Sequence, residues 1–248
     1  VGSEMFIRGR FNVENVILSP ATHTTKSYTN MLKAIDDSGA KVTIGVAGTE
    51  IFSDGDLSAV VIAPVTEDYS DLNNSSVMVM LTYRDNKFLF TGDAENGEEN
   101  TITADIDCDV LKVGHHGSST STSSAFLTAA SPEYAVISCG MGNSYGHPHT
   151  ETLDRLKGAG VKIYRTDLQG DIIMTCDGEK ITVNVDSASS DGQASGIYVL
   201  NTKSKKIHRA DCSSVAKIDS KNLKRTNDYD GAIAAGYTPC MVCSPEKS

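Results

Sequence analysis

Two apolar runs that each end in a glycine and a metal-type ligand constrain this chain more than any other feature. Phe88-Leu89-Phe90 leads into Thr91-Gly92-Asp93, and Val110-Leu111-Lys112-Val113 leads into Gly114-His115-His116-Gly117-Ser118. Glycine lets a strand turn sharply at its end, because it lacks the Cβ that closes off much of backbone space. The residue after the turn is then presented at the edge of a sheet. Two such edges about 20 residues apart, joined by a helix-like stretch, aim an Asp and a His at one point. Read singly, Gly92-Asp93 is an ordinary turn and His115-His116 a polar strand cap. The ordered set instead points to a hydrolytic metal site carried by a layered α/β fold.

The rest of the pattern agrees with that fold class. Apolar spacing predicts a helix over 25–38, with Tyr28, Met31, Leu32 and Ile35 on one face and Gly39 as its stop. Residues 1–10 read as the tail of a helix. Short β-type runs follow at 16–18, 42–46, 58–63, 77–83, 87–91, 109–113, 134–138, 161–165 and 171–175, with helices over 123–130 and 150–157. Strands alternating with helices at this density favour an α/β layered sandwich. The stretch 186–196, rich in Ser, Gly, Ala and Asp, has no apolar periodicity and reads as a linker. It divides a body, 1–185, from a small module, 197–248. No run of about 18 apolar residues occurs, so no membrane span is expected. The start, Val1-Gly2-Ser3-Glu4-Met5, has neither an initiating Met nor a signal-peptide pattern, and the chain reads as a piece of a longer protein.

Charge and cysteine divide along the same line. The chain carries a net charge of −10, yet residues 197–248 hold nine Lys/Arg against five Asp/Glu. An acidic body with a basic tail is the organisation this implies, and it argues against a general nucleic-acid coat. Cys108, Cys139 and Cys176 stand singly in or beside apolar segments and read as buried inert thiols. His208-x3-Cys212 and Cys240-x2-Cys243 instead supply two close ligand pairs. Three thiolates and an imidazole at these spacings suit one tetrahedral structural Zn²⁺, and a module of this size needs such a staple. The alternative, a disulfide within the trio, leaves one odd thiol and gives His208 no role.

The body resembles the metallo-β-lactamase superfamily, and within it the hydrolase domain of the ComEC competence family. The resemblance rests on Asn73-Asn74-Ser75-Ser76-Val77, Phe90-Thr91-Gly92-Asp93, Asp109 through Ser118, Val136-Ile137-Ser138-Cys139-Gly140, Tyr145-Gly146-His147-Pro148-His149 and Tyr164-Arg165-Thr166-Asp167. It implies a metallo-β-lactamase-type αββα sandwich with its N-terminal part truncated, plus a small zinc-stabilised α+β module. By position it makes Asp93 the carboxylate that bridges two divalent ions, Zn or Mn. It makes His115 or His116 a ligand of the second ion, and puts His147 and His149 beside the site, to bind a phosphate or protonate a leaving group. Read without it, His147 and His149 are loop histidines bonded to backbone, Thr166-Asp167 is a structural turn and His23 a surface residue. The family's His-x-His-x-Asp-His motif does not occur in this chain, and Asn73-Asn74-Ser75 stands where many superfamily members place another His.

The tail resembles the metal-binding module of the Ada DNA-repair family, with His208 at the first ligand position where that family has Cys. That exchange argues against methyl-accepting chemistry and leaves a zinc-stabilised domain with a basic face. Lys203, Lys205, Lys206, Arg209, Lys221, Lys224 and Arg225 compose this face, and Lys205, Lys206 and Arg209 are the candidate phosphate contacts. The expected function is metal-assisted hydrolysis of phosphodiester bonds in DNA, outside the cytoplasm. A small-molecule or cell-wall phosphoesterase and a non-catalytic polyanion-binding protein are the alternatives.

Overall fold

The computed structural model describes residues 12–65, 71–188, 198–209, 212–226 and 228–245. The expected helix tail over 1–10 and most of the expected linker lie outside them. Strands β1 (Asn15–Leu18) and β2 (Lys41–Ile44) pair in parallel, connected by the helix Lys26–Ser38. That helix begins where the Thr25 hydroxyl accepts the Tyr28 N–H and ends at Gly39, whose left-handed φ of 70° returns its N–H to Asp36.

Next come β3 (Glu50–Asp54), β4 (Leu57–Ala63), β5 (Met78–Tyr83), β6 (Asn86–Phe90), β7 (Val110–Lys112), β8 (Tyr134–Ile137) and β9 (Lys162–Arg165). They form one seven-stranded sheet in sequence order. Pairing is antiparallel from β3 to β6 and parallel from β6 to β9, so four consecutive strands end at one edge. β10 (Met174–Cys176) and β11 (Ile181–Val183) make a separate hairpin.

Register decides which face each side chain takes. Leu89, Leu111, Ala135 and Ile163 are paired across β6 to β9 and share a face. They form a core with Phe126, Leu127, Leu153 and Leu156 from the helices Ser124–Ala130 and Thr150–Gly158. Leu89, Leu111 and Leu156 are fully buried, each contributing about 2 kcal/mol of burial. The residues between them in register, Phe88, Val110, Phe90, Lys112 and Val136, turn to the opposite face, where a groove of ≈ 480 Å³ runs under the β10–β11 hairpin.

Three segments depart from the expected pattern. β3 went unanticipated because it is a largely exposed edge strand of mixed composition. β11 is only three residues long. β10 starts later than 171 because the Asn184 side chain takes the Ile173 N–H at 2.7 Å and donates to the Asp171 carbonyl at 3.1 Å. Those backbone groups are thereby withdrawn from strand pairing.

The tail is α+β. β12 (Tyr198–Asn201), β13 (Lys206–Arg209), β14 (Leu223–Thr226) and β15 (Thr238–Pro239) form a sheet ordered β14-β12-β13-β15, and the helix Tyr229–Ala234 accompanies it. One side buries Tyr198, Leu200, Ile207, Ala232 and Tyr237; the other buries Val199 and Val215 with Cys212 and Cys240.

Candidate metal centres

The parallel strands β6, β7 and β8 deliver the body's candidate site at their shared C-terminal edge, where α/β sheets bind ligands. Beyond β6 the chain turns through Gly92 at φ 56°. A Cβ there would stand 3.1 Å from that of Ser76. The turn is fastened from three sides. The Asp93 N–H donates to the Ser76 hydroxyl at 3.1 Å, and the Gly92 carbonyl accepts from the His115 N–H at 3.1 Å. Lys112 spans the turn from β7, donating to the Val113 carbonyl at 2.7 Å and facing the Gly92 carbonyl at 3.5 Å. Burial pushes that ammonium below the usual lysine range, partly offset by Asp93.

Beyond β7, His115 and His116 both adopt left-handed backbone, φ 44° and 55°, before Gly117 at 85°. Two consecutive non-glycine residues in that region are strained. The strain turns the two imidazoles to different partners. His116 Nδ1 lies 2.6 Å from the Ser138 carbonyl, so it carries the proton and donates. In the neutral ring Nε2 is then the acceptor nitrogen, and it lies 3.4 Å from Asp93 Oδ1. His115 Nδ1 lies 2.9 Å from Glu95 Oε1, and Glu95 also accepts from the Asn73 amide at 3.2 Å. A backbone carbonyl or carboxylate behind one ring nitrogen, with the other facing outward, is the usual setting of a metal-binding histidine. Asp93 and His116 thus approach each other while His115 faces Glu95, and among the described residues the one close group of three or more metal-type ligands lies in the tail.

His147 and His149 differ sharply. His149 Nδ1 accepts the Ser119 N–H at 3.0 Å, so Nε2 holds the proton and points at the Tyr145 carbonyl at 3.2 Å. Both ring nitrogens are engaged in holding loops together. His147 projects among the other rings, its centroid 5.4 Å from His115, 6.3 Å from His116 and 4.8 Å from His149. Burial and then its histidine neighbours push its pKa below the ordinary value, against the pull of Asp93.

The Asn73-Asn74-Ser75-Ser76 turn is scaffold. Besides the bonds to Glu95 and Asp93, the Asn74 side-chain oxygen takes the Glu98 N–H at 2.9 Å, and the Ser19 hydroxyl donates to the Ser75 carbonyl at 2.6 Å. Sequence reasoning passed over four further residues. Glu99 accepts from the N–H groups of Thr122 and Ser123. Arg155 donates to the carbonyls of Ser119, Ser121 and Thr122. These two fix the Ser/Thr-rich loop after the histidines. Glu95 and Lys112 are the others; the only signal for any of them was a charged residue inside or beside an apolar segment.

Thr166 and Asp167 serve structure: the Thr166 hydroxyl bridges the Cys139 N–H and carbonyl, and Asp167 pairs with Arg165 at 2.7 Å. Cys108 and Cys139 are pushed up to about 12 by burial and are inert. His23 is exposed and accepts the Thr25 N–H.

In the tail, His208, Cys212, Cys240 and Cys243 bring their ligand atoms within 4.8 Å of one another. The His208 ring is buried and neither nitrogen has a hydrogen-bond partner, a costly arrangement unless an ion supplies one. The Arg209 N–H points at Cys243 Sγ and the Val242 N–H at Cys240 Sγ, each at 3.4 Å, the N–H to sulfur bonds that suit thiolates around a metal. The basic residues are less united. Lys205 lies over the Tyr237 ring and Lys206 donates to the Thr238 hydroxyl. Strand alternation places Lys206 and Arg209 on opposite faces of β13. Arg225 turns inward and donates to the Asp167 carbonyl at 2.5 Å.

Residues 39–141 match the family described as the metallo-beta-lactamase superfamily. ComE operon protein 3 of Bacillus subtilis is 30% identical over 175 residues, covering 69% of this chain and 22% of that protein. Competence protein ComA of Neisseria gonorrhoeae is 41% identical over 104 residues, 40% of this chain and 15% of its own length. Recombination protein 2 of Haemophilus influenzae is 36% identical over 101 residues, 40% and 13% respectively. The chain thus spans about a fifth or less of the curated relatives it matches. In fold, in the Asp and His edge motifs and in sequence, the body of this chain is a metallo-β-lactamase superfamily domain resembling that of the ComEC competence family.

Proposed function

We propose that this chain is the hydrolase portion of a ComEC-type protein and cuts phosphodiester bonds in DNA. One observation carries the reading: Nε2 of His116 lies 3.4 Å from Asp93 Oδ1 while Nδ1 is tied to the Ser138 carbonyl. Bound there, a pair of divalent ions would supply hydroxide at neutral pH and offset charge on the phosphoryl oxygens. Asp93 and His116, with His115 behind them, would hold that pair, and a His-x-His-x-Asp-His segment upstream would complete the ligand set.

The chain's own residues then divide the remaining work. His147, unpartnered and beside both metal-type histidines, faces the substrate. His149, engaged at both nitrogens, holds the loop that presents it. Any phosphate contacts of the tail come singly, from Lys206 and Arg209 on opposite faces of β13, and one zinc on His208, Cys212, Cys240 and Cys243 keeps the tail folded. No helix among the described residues is long and apolar enough to cross a membrane. The competence names of the relatives favour an extracytoplasmic place, where DNA from outside is met.

The test is hydrolysis of an oligonucleotide, in Mn²⁺ or Zn²⁺, by this chain alone and by the chain joined to a His-x-His-x-Asp-His segment. Loss of a partner behind a ligand costs 10- to 100-fold, so Asp93→Asn, at the ligand itself, is expected to cost about a hundredfold or more. Equal cleavage by the variant overturns the reading. Cleavage of small phosphate esters with DNA left intact moves it to a small-molecule phosphoesterase.

A further inference from the structure

Tyr145 is 77% exposed, and an exposed tyrosine alone signifies little. Its setting is what carries weight. The Tyr145 ring lies 5.7 Å from that of His147 at an interplanar angle of 20°, and His147 lies 6.3 Å from His116 at 23°. The three rings form a ladder running outward from the Asp93–His116 pair, and its last rung is a bare aromatic face.

The loop that holds this rung is built, not loose. The Asn143 side chain donates to the carbonyls of Gly140 at 2.9 Å and His147 at 2.6 Å, and accepts the His147 N–H at 3.0 Å. Gly142 and Gly146, at φ 63° and 76°, make the two bends. His149 donates to the Tyr145 carbonyl, and its other nitrogen is tied to Ser119 in the loop after the metal-type histidines. The fold therefore fixes a large apolar ring in water, beside His147, and gains little burial from it.

We propose that Tyr145 is a stacking platform for a nucleobase of the substrate, beside the Asp93–His116 pair. The proposal rests on the phosphodiester reading and narrows it to single-stranded nucleic acid, since a base still paired in a duplex offers no free face. Stacking on one aromatic ring accepts any base, because every base has a π-face, so no sequence preference follows. A phosphate ester without a ring gains nothing from it.

The test uses the full chain without added divalent metal and measures anisotropy of labelled oligothymidylate against an abasic oligomer of equal length. Charge contacts from the tail treat the two polymers alike. The expected result is about tenfold tighter binding of oligothymidylate, abolished by Tyr145→Ala and kept by Tyr145→Phe. Equal binding of the two polymers by the unaltered chain, no binding of either, or a preference that survives Tyr145→Ala would each overturn the proposal. So would loss of the preference in Tyr145→Phe, which would make the hydroxyl, and not the ring face, responsible. Cleavage assays then separate the two readings. A binding preference for bases, with neither polymer cut even when the chain is joined to a His-x-His-x-Asp-His segment and given Mn²⁺ or Zn²⁺, leaves the platform standing and removes the hydrolase. Equal cleavage of both polymers, indifferent to Tyr145, does the reverse.

Discussion

In the tail, four ligand atoms lie within 4.8 Å of one another, supplied by one small module with its own apolar core. In the body, Asp93 and His116 stand 3.4 Å apart at a sheet edge, 46% of the His116 side chain exposed, and each is held by a different loop. The first arrangement closes around an ion and leaves no coordination position for a substrate. The second is open and depends on elements far away in sequence. Structural metal sites take the first form and catalytic ones the second, and among the described residues only the tail brings such a ligand group together. The tail's ligands make its fold, whereas the body's fold makes its ligands.

The strongest way to break that contrast is Cys240→Ser. Apparent binding energies for structural zinc in small modules run to about 10–16 kcal/mol, more than a domain of this size gains from its core. The variant is expected to lose the tail zinc by elemental analysis and to become open to proteolysis across 198–245, while the body melts as before. A variant that keeps a protected tail without zinc would show that its two apolar clusters suffice, and the contrast would fall.

A smaller effect probes the body, where the fold bears a cost near its site. Glu98 is 3% exposed, and its carboxylate has no close hydrogen bond, with only the Ser76 N–H in reach to favour the charged form. Burial pushes its pKa from 4.5 to about 8, opposed by the Ser76 N–H and reinforced by Asp71. Between those two values the folded chain keeps a proton that the unfolded chain has released. Stability therefore falls as pH rises through that window, by at most about 1.4 kcal/mol per pH unit, and the loss is complete above the folded pKa. Glu98→Gln stays neutral throughout. Its melting temperature relative to the parent chain is expected to rise steadily across the window and to level off above it. A difference that does not change with pH would show that Glu98 is ionised in the folded state.

The contrast also explains what was legible in the sequence. Both tail ligand pairs were, because a closed site written in one short segment shows as spacing. In the body, strand ends carrying Asp93 and His115-His116 were visible, and so was the helix with its Thr25 and Gly39 ends, since local turn chemistry fixes all of these. The division of labour within His115-His116 was not, because it depends on Glu95 and the Ser138 carbonyl, which only the fold brings behind the two rings. Glu99 and Arg155 stayed hidden for the same reason: each bonds to backbone more than twenty residues away. The Asn73-Asn74-Ser75 turn drew notice for an absent histidine, while the Asn73 amide and the next residue's hydroxyl, on Ser76, hold the loops of Glu95 and Asp93.

The smallest predicted effect concerns that hidden layer. Glu95 Oε1 accepts from both His115 Nδ1 and the Asn73 amide, so its charge fixes which nitrogen of His115 faces outward. Glu95→Gln keeps the size and removes the charge. Loss of such a partner weakens metal binding by about 10- to 100-fold, and the lower end, about 1.4 kcal/mol, is expected because His116 keeps its own carbonyl. Zn²⁺ titration followed by the ring-proton shifts of His115 and His116 reads the change, with the tail already loaded. Asn73→Ala should give a weaker effect in the same direction, since it loosens Glu95 without removing it. Neither substitution should move the tail affinity, because no residue of the body supplies a ligand there. A shift in both sites together would mean that the contact of Arg225 with the Asp167 carbonyl couples the closed site to the open one, and the two would have to be treated as a single unit.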